Sequence, residues 1–143
     1  MSAQNYSNHV RLITGYHKIG FSLALALLVS SAWNAWVHFG TDAQMGSLIL
    51  LGLVVLVLII GFYARVFALR AQDRLIRLEE NLRHQRLHGT PLPEGLDIRQ
   101  VIAIRFASDE EYEGVIADAL QNGTSEKAIK QSIRNWREDP YRV

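Results

Sequence analysis

Two long apolar runs separated by a short polar break constrain this chain more than any other feature. The first run is FSLALALLVSSAWNAWVHF, residues 21–39, and the second covers 47–69 if Arg65 extends its guanidinium to lipid head groups. The ionisable side chains in this region are His38, Asp42 and Arg65. About 20 apolar residues cross a hydrocarbon core of about 30 Å. The pattern therefore predicts two transmembrane helices joined by a turn at 40–46, because a soluble core rarely holds such uncharged runs.

The distribution of lysine and arginine predicts the orientation of this hairpin. Arg11 and Lys18 precede the first run, and the turn contains neither residue type. The basic residues after the second run are Arg65, Arg70, Arg74, Arg77 and Arg83. Because basic residues stay on the cytoplasmic side, both termini, including the N-terminal segment 1–20, are expected there. A signal peptide cleaved after Ala32 is the alternative, but the apolar run continues beyond that position, which favours an uncleaved span.

The second apolar run passes into a charged stretch, 70–88, with no proline or glycine between Phe62 and His88, which predicts one helix from about Ser47 to His88. Small and leucine side chains recur along it at heptad spacing, which is typical of a packing seam. The predicted packing residues are Gly61, Ala64, Ala68, Ala71, Leu75, Leu78 and Leu82. Packing on the chain's own C-terminal helices and packing on a partner protein both fit this pattern. For Gly61 and Ala64 the first expectation is packing within the hairpin, against the small residues Ala24, Ser31 and Ala35 of the first run, and a homo-oligomer or a larger membrane complex comes next.

A proline- and glycine-containing linker, 89–97, separates this helix from the C-terminal tail, 98–143. The tail is expected to form three short helices. Asp97 is placed to cap the first, with Gln100 completing a capping box. The fold class is therefore an all-α membrane protein: a two-helix hairpin, a second helix extended into the cytoplasm, and three short helices.

The next two tail helices are also predicted from capping residues. Ser108 with Glu111 is expected to form a second capping box. Ser125, or Thr124, should cap the last helix, which is expected to run to about Trp136. A unit of this size seldom supports a core alone, so the tail should pack on the long helix, the membrane or another protein.

Two groups of polar residues on the long helix are candidate binding sites. The first is a basic flank that could hold anionic lipid head groups, namely Arg65, Arg70, Arg74 and Arg77. Glu80, His84 and His88 are spaced by four and are weak metal-ligand candidates. Histidines that face solvent or head groups are the preferred interpretation, because Arg77 on the same flank opposes a cation. No cofactor is predicted, and a net charge of +1 gives no general attraction to nucleic acid.

Several segments carry a family resemblance. They are QNYSNHVR (4–11), LIRLEENLRHQRL (75–87), IRFASDEEYEGVIADAL (104–120) and AIKQSIRNWREDPYRV (128–143). With the motifs RFASDEE and IKxxIxNW, the whole chain resembles an uncharacterised family of small bacterial inner-membrane proteins. The resemblance implies a two-span inner-membrane hairpin, with 40–46 periplasmic and a helical cytoplasmic tail. It assigns no catalytic or ligand residues.

These observations favour a protein that is not an enzyme. We expect an accessory or scaffold protein that binds a larger inner-membrane complex or associates with itself through its helices. A membrane-surface sensor that binds anionic lipid is the alternative. A metal-dependent membrane enzyme that uses His84 and His88 is the least favoured hypothesis.

Overall fold

The computed structural model describes residues 5–6 and 13–139. It confirms the all-α prediction: the described residues hold five α-helices and a π-helical segment, and the only β-type pairing among them is one isolated bridge. They belong to two compact units, Leu12–Ala68 and Leu69–Val143, and residues 5–6 belong with the second. We call these the span unit and the tail unit. Most of the predicted N-terminal segment before residue 13, with Arg11, and the last four residues of the predicted tail lie outside the described residues.

The span unit contains the two apolar helices. A π-helical segment, Thr14–Gly20, leads directly into α1, Phe21–Val37, and a turn connects α1 to α2, Gln44–His88. The most apolar 18-residue stretch has a mean hydropathy of 1.4 in Thr14–Val37 and of 2.9 in Gln44–His88. Only 11% of the first stretch and 6% of the second is buried. A core helix of a soluble protein would be mostly buried. Two helices are thus long and apolar enough to cross a membrane.

Within the span unit, the buried side chains of the two apolar helices are small. Ser31 and Ala35 are the buried residues of α1, and Ser47 is buried near the start of α2. Ser31 and Ala35 are four residues apart, so both project from one side of α1. Gly61 and Ala64 are exposed, and a Cβ added at Gly61 would meet no atom within 4 Å. The prediction that Gly61 and Ala64 pack within the hairpin is therefore wrong.

The tail unit begins within α2 and continues through three short helices. Gly89 follows the last residue of α2 and has a φ of 74°. Glycine adopts this left-handed conformation without steric cost. The short helices are α3, Ile98–Ile104; α4, Asp109–Asn122; and α5, Glu126–Ser132.

Local capping chemistry explains where these helices start. The Asp97 side chain accepts from the backbone N–H of Gln100, and the Gln100 side chain accepts from that of Asp97, which confirms the first predicted capping box. Ser125 accepts from the Ala128 N–H at 3.3 Å, as predicted. The second predicted box is wrong, because Ser108 makes no side-chain cap hydrogen bond. Glu111 instead accepts from the backbone N–H groups of residues 134 and 135.

The last helix is shorter than predicted. It ends at Ser132, and the chain then becomes extended, with Ile133 at φ −66° and ψ 124°. Trp136 pairs with Ala107 in an isolated antiparallel bridge, and its ring lies 4.9 Å from that of Phe106. The prediction of a helix to Trp136 is wrong because this pairing and the bonds to Glu111 satisfy backbone groups that a helix would otherwise satisfy.

A single core joins α2 to the three short helices. Its members are Ile76, Leu96, Val101, Ala103, Ile104, Phe106, Ala107, Tyr112, Ile116, Ala119, Ile129 and Ile133. Among these residues only Ile76 comes from α2. The tail therefore packs on one face of the long helix, which was one of the three predicted alternatives.

Candidate interaction surface

The face of α2 that receives the tail is polar at its centre. Ile76, Glu80, Arg83 and His84 are all buried there. Charged side chains are rarely buried unless they are paired. Each of the three polar residues has a specific partner in the fold.

Arg83 makes the largest number of these polar contacts. Its Nε lies 2.9 Å from Asp109 Oδ1, and one terminal nitrogen donates to the Ala107 carbonyl at 2.8 Å. The other terminal nitrogen donates to Glu80 Oε2 at 3.3 Å. The guanidinium also lies over the Tyr112 ring, 4.2 Å from its centroid. One α2 side chain thus joins the start of α4 to the long helix.

Burial and neighbouring charges shift two carboxyl pKa values in opposite directions. Burial raises the pKa of Glu80 above its usual value, although Arg83 and Arg137 oppose the change. The hydrogen bond from Arg83 lowers the pKa of Asp109. The Tyr112 hydroxyl donates to the Glu80 carbonyl at 3.1 Å, and burial raises the pKa of this phenol. These ionisable groups are used to hold the tail on α2.

The predicted metal-ligand residues have other contacts. The Glu80 carboxylate faces Arg83 and Arg137, and His84 Nδ1 lies 2.7 Å from the Thr90 carbonyl. His88 is exposed and stacks on Tyr112, with ring centroids 6.4 Å apart. In the described part of the chain, no group of three or more His, Cys, Asp or Glu is placed to hold a metal ion. The expectation that His84 faces solvent or head groups is wrong, because it is buried.

The opposite face of α2 in the tail unit is apolar and uncovered. Leu75, Leu78 and Leu82 are 55%, 54% and 55% exposed, and Ala71 is also exposed. We call Ala71, Leu75, Leu78 and Leu82 the α2 seam. The alternative in which this seam packs on the chain's own tail is wrong. Packing on a partner remains a prediction.

Charged and polar residues border the α2 seam on both sides. Arg74 and Asn81 lie along one border, where Asn81 Oδ1 accepts from the Leu92 N–H at 2.8 Å. Glu79 and Arg86 lie along the other. That border opens into a cleft of about 640 Å³, which is lined by Glu79, Glu80, Leu82, Arg83, Arg86, Arg105, Arg137, Glu138 and Asp139. Acidic and basic side chains are equally numerous there, so the cleft selects neither sign of charge.

The four predicted head-group arginines differ in their surroundings. Within the span unit, the Arg65 guanidinium lies 5.3 Å from the centroid of Tyr16. Within the tail unit, Arg77 donates to the Leu96 carbonyl at 3.4 Å. All four side chains are exposed, and in the described part of the chain Arg70 and Arg74 form no ion pair or ring contact.

Sequence reasoning missed the buried polar cluster of Glu80, Arg83, Asp109 and Tyr112. A signal for it exists: Ile76, Glu80 and Arg83 follow one another at intervals of four and three, so they share a side of the helix. This row contains one apolar residue and two residues of opposite charge. Such a pattern is equally compatible with a partly polar packing interface and with a face exposed to solvent. The heptad of small and leucine residues, being more regular, directed the prediction to the other side.

Comparison with known proteins places the chain in a family. Residues 1–143 match the family described as "Family of unknown function (DUF6526)". No curated protein and no solved structure matches the chain.

Proposed function

The chain belongs to DUF6526, a family of unknown function, and from that premise we propose that it is a non-catalytic, membrane-anchored interaction protein. In this proposal its two apolar helices hold it in a bacterial inner membrane, and both termini are cytoplasmic. Its partner is a membrane complex or another copy of itself. The partner binds the α2 seam.

The exposure of the α2 seam is the observation that supports this function best. Leu75, Leu78 and Leu82 are each more than half exposed and lie at heptad spacing on one side of α2, whereas the other exposed leucines of the unit, Leu69, Leu87 and Leu120, are 36–42% exposed. Contiguous apolar surface rimmed by polar residues is characteristic of a protein interaction site. The ordered cluster around Arg83 keeps the tail on the far face and so keeps the seam available.

Substitution of the α2 seam tests the proposal. Leu75, Leu78 and Leu82 are changed together to glutamine, which favours helix about as well as leucine does. Leu120→Gln is the matched control, because Leu120 is an exposed leucine of α4 in the same unit. The particle extracted in mild detergent should be larger than a monomer for the wild type and the control, and monomeric for the triple variant. A wild-type monomer with no co-purifying protein contradicts the proposal.

The exposure of Arg70 and Arg74 supports a second candidate, the binding of anionic lipid at the membrane surface. Each basic residue near such a surface contributes about 1 kcal/mol. Changing both arginines to glutamine should abolish a preference for anionic over neutral liposomes. The control is Arg99→Gln, an exposed arginine of α3. Equal lipid preference in all three proteins eliminates this candidate.

A further inference from the structure

We propose that the α2 seam pairs with the same seam of a second copy of this chain, in a parallel and in-register two-stranded coiled coil. This inference rests on the proposed function and names its partner. Leu75 and Leu82 occupy the first core position of the heptad, and Ala71 and Leu78 occupy the second. In a parallel pair each of these positions meets its own equivalent in the other copy.

Charge complementarity favours a second copy as the occupant. In a parallel coiled coil, the residue that precedes one heptad's first core position faces the residue five places later on the other helix. Arg74 is such a residue, and five places later is Glu79. Each dimer would therefore contain two equivalent Arg74 to Glu79 pairs, one on each side of the seam.

Both side chains are available for this pairing. Arg74 and Glu79 are exposed, and within the described part of the chain neither forms an ion pair. Arg74 also lies close to other positive charge, because Arg70 and Arg77 are four and three residues away on the same helix. A carboxylate from another copy would relieve that repulsion.

The same charges specify the register. If one helix slips by one heptad in one direction, Arg74 faces Arg86 instead of Glu79, and like charges oppose each other. A slip in the other direction places Arg74 against Gln72, which leaves the charge unpaired. Only the in-register dimer pairs every Arg74 with a carboxylate. α2 is one continuous helix, Gln44–His88, so two copies whose spans insert in the same sense favour the parallel arrangement.

The tail does not obstruct this partner. At 100° of rotation per residue, the centre of the α2 seam and the centre of the face that holds Ile76, Glu80 and Arg83 are about 140° apart. The tail therefore occupies the outer side of each helix in the pair. Asn81, which holds the linker through Leu92, occupies the border position one heptad after Arg74, so charge pairing is confined to the level of Arg74 and Glu79.

Disulfide cross-linking of the full-length protein in its membrane tests the geometry directly. The chain contains no cysteine, so each introduced thiol is unique. Leu78→Cys places a thiol at the predicted dimer axis. Leu87→Cys, about 180° away on the same helix, is the matched control. Oxidation should yield a disulfide-linked dimer for Leu78→Cys and no such dimer for Leu87→Cys.

Charge exchange tests the partner's identity. Arg74→Glu and Glu79→Arg should each lose the Leu78→Cys cross-link when expressed alone, because each places like charges opposite one another. When the two variants share a membrane, both cross-strand pairs are again opposite in sign, and the cross-link should return between the two different chains. A chain that carries both Arg74→Glu and Glu79→Arg should also recover the Leu78→Cys cross-link, because both cross-strand pairs of its dimer are again opposite in sign.

The outcomes separate this inference from the function on which it rests. Equal cross-linking at residues 78 and 87, or no rescue when the charge variants are mixed, overturns the in-register dimer. If no dimer forms but the triple glutamine variant still loses a partner, the seam binds another protein, so only the second-copy inference fails. A monomer throughout overturns both.

Discussion

At the scale of single residues, Arg83 connects the long helix to the tail. Its side chain is 4% exposed and contacts Glu80, Asp109, the Ala107 carbonyl and the Tyr112 ring. Such a buried ion pair contributes little net stability compared with an apolar pair, because desolvation offsets the attraction. Removing one partner is different, because it leaves the other charge buried and unpaired.

We therefore expect Arg83→Met to lower the free energy of unfolding by about 3–5 kcal/mol. Arg83→Met combined with Glu80→Leu should recover part of this loss, because no buried carboxylate is then unpaired. Urea unfolding in detergent, followed by Trp136 fluorescence in a Trp33→Phe, Trp36→Phe background, measures both variants. Equal destabilisation of the single and double variants would show that the Arg83 to Glu80 pair is not the source of the effect.

The opposite pKa shifts of Glu80 and Asp109 predict opposite effects of amide substitution. The pKa of Glu80 is raised above 4.5 by burial, so its contribution to stability is present below pH 4.5 and is lost as the pH rises through the raised value. The pKa of Asp109 is lowered below 3.8 by the Arg83 hydrogen bond, so its contribution is present above pH 3.8 and is lost as the pH falls through the lowered value.

At pH 7, Glu80→Gln should therefore be at least as stable as the wild type, and the difference should shrink towards pH 4.5. Asp109→Asn should be less stable at pH 7, by no more than about 1 kcal/mol, because solvent screens a partly exposed pair. The measurement is urea unfolding at a series of pH values. A strongly destabilised Glu80→Gln at pH 7 would contradict the direction of the Glu80 shift.

At the scale of helices and turns, short-range chemistry was predictable and long-range pairing was not. The capping box at Asp97 involves residues three apart, so the sequence alone contains all of it. Glu111 also stands three residues after a serine, but its carboxylate binds backbone groups more than twenty residues later. Trp136 is likewise diverted from a helix by its bridge to Ala107. Local patterns do not reveal such distant competitors.

Two glycines of α4 should respond oppositely to the same substitution. Gly123 ends the helix with φ of 61°, where a Cβ costs about 1–2 kcal/mol. Gly114 lies inside the helix, and an added Cβ would meet no atom within 4 Å, so alanine should stabilise by about 0.5–1 kcal/mol. Thermal unfolding should therefore give a lower midpoint for Gly123→Ala and a higher midpoint for Gly114→Ala. A higher midpoint for Gly123→Ala would contradict a left-handed helix end.

At the scale of the whole molecule, hydropathy and residue spacing gave the helix order, but the face on which the tail packs was not predictable. The apolar runs around residue 42 are long enough to identify two helices by composition alone. The choice between the seam leucines and the row of Ile76, Glu80 and Arg83 depends on partners from α4 and on Ala107 and Arg137. Only the folded tail brings those partners together, so the leucine pattern pointed to a packing face that the fold leaves exposed.

The proposed membrane topology predicts where introduced thiols can be reached. Asp42 lies in the exposed turn between the apolar helices, and Glu113 is exposed on α4. In intact cells, a membrane-impermeant maleimide should label Asp42→Cys and should label Glu113→Cys only after the inner membrane is permeabilised. The uneven placement of lysine and arginine gives this orientation. Labelling of Glu113→Cys alone in intact cells would show that the orientation is the reverse of the proposed one, and equal labelling of both would mean that the second apolar helix does not separate them.

Added positive charge in the turn tests the same orientation. Because the turn carries neither lysine nor arginine, adding two lysines beside Asp42 should reduce the labelling of Asp42→Cys by weakening the charge difference that orients the hairpin.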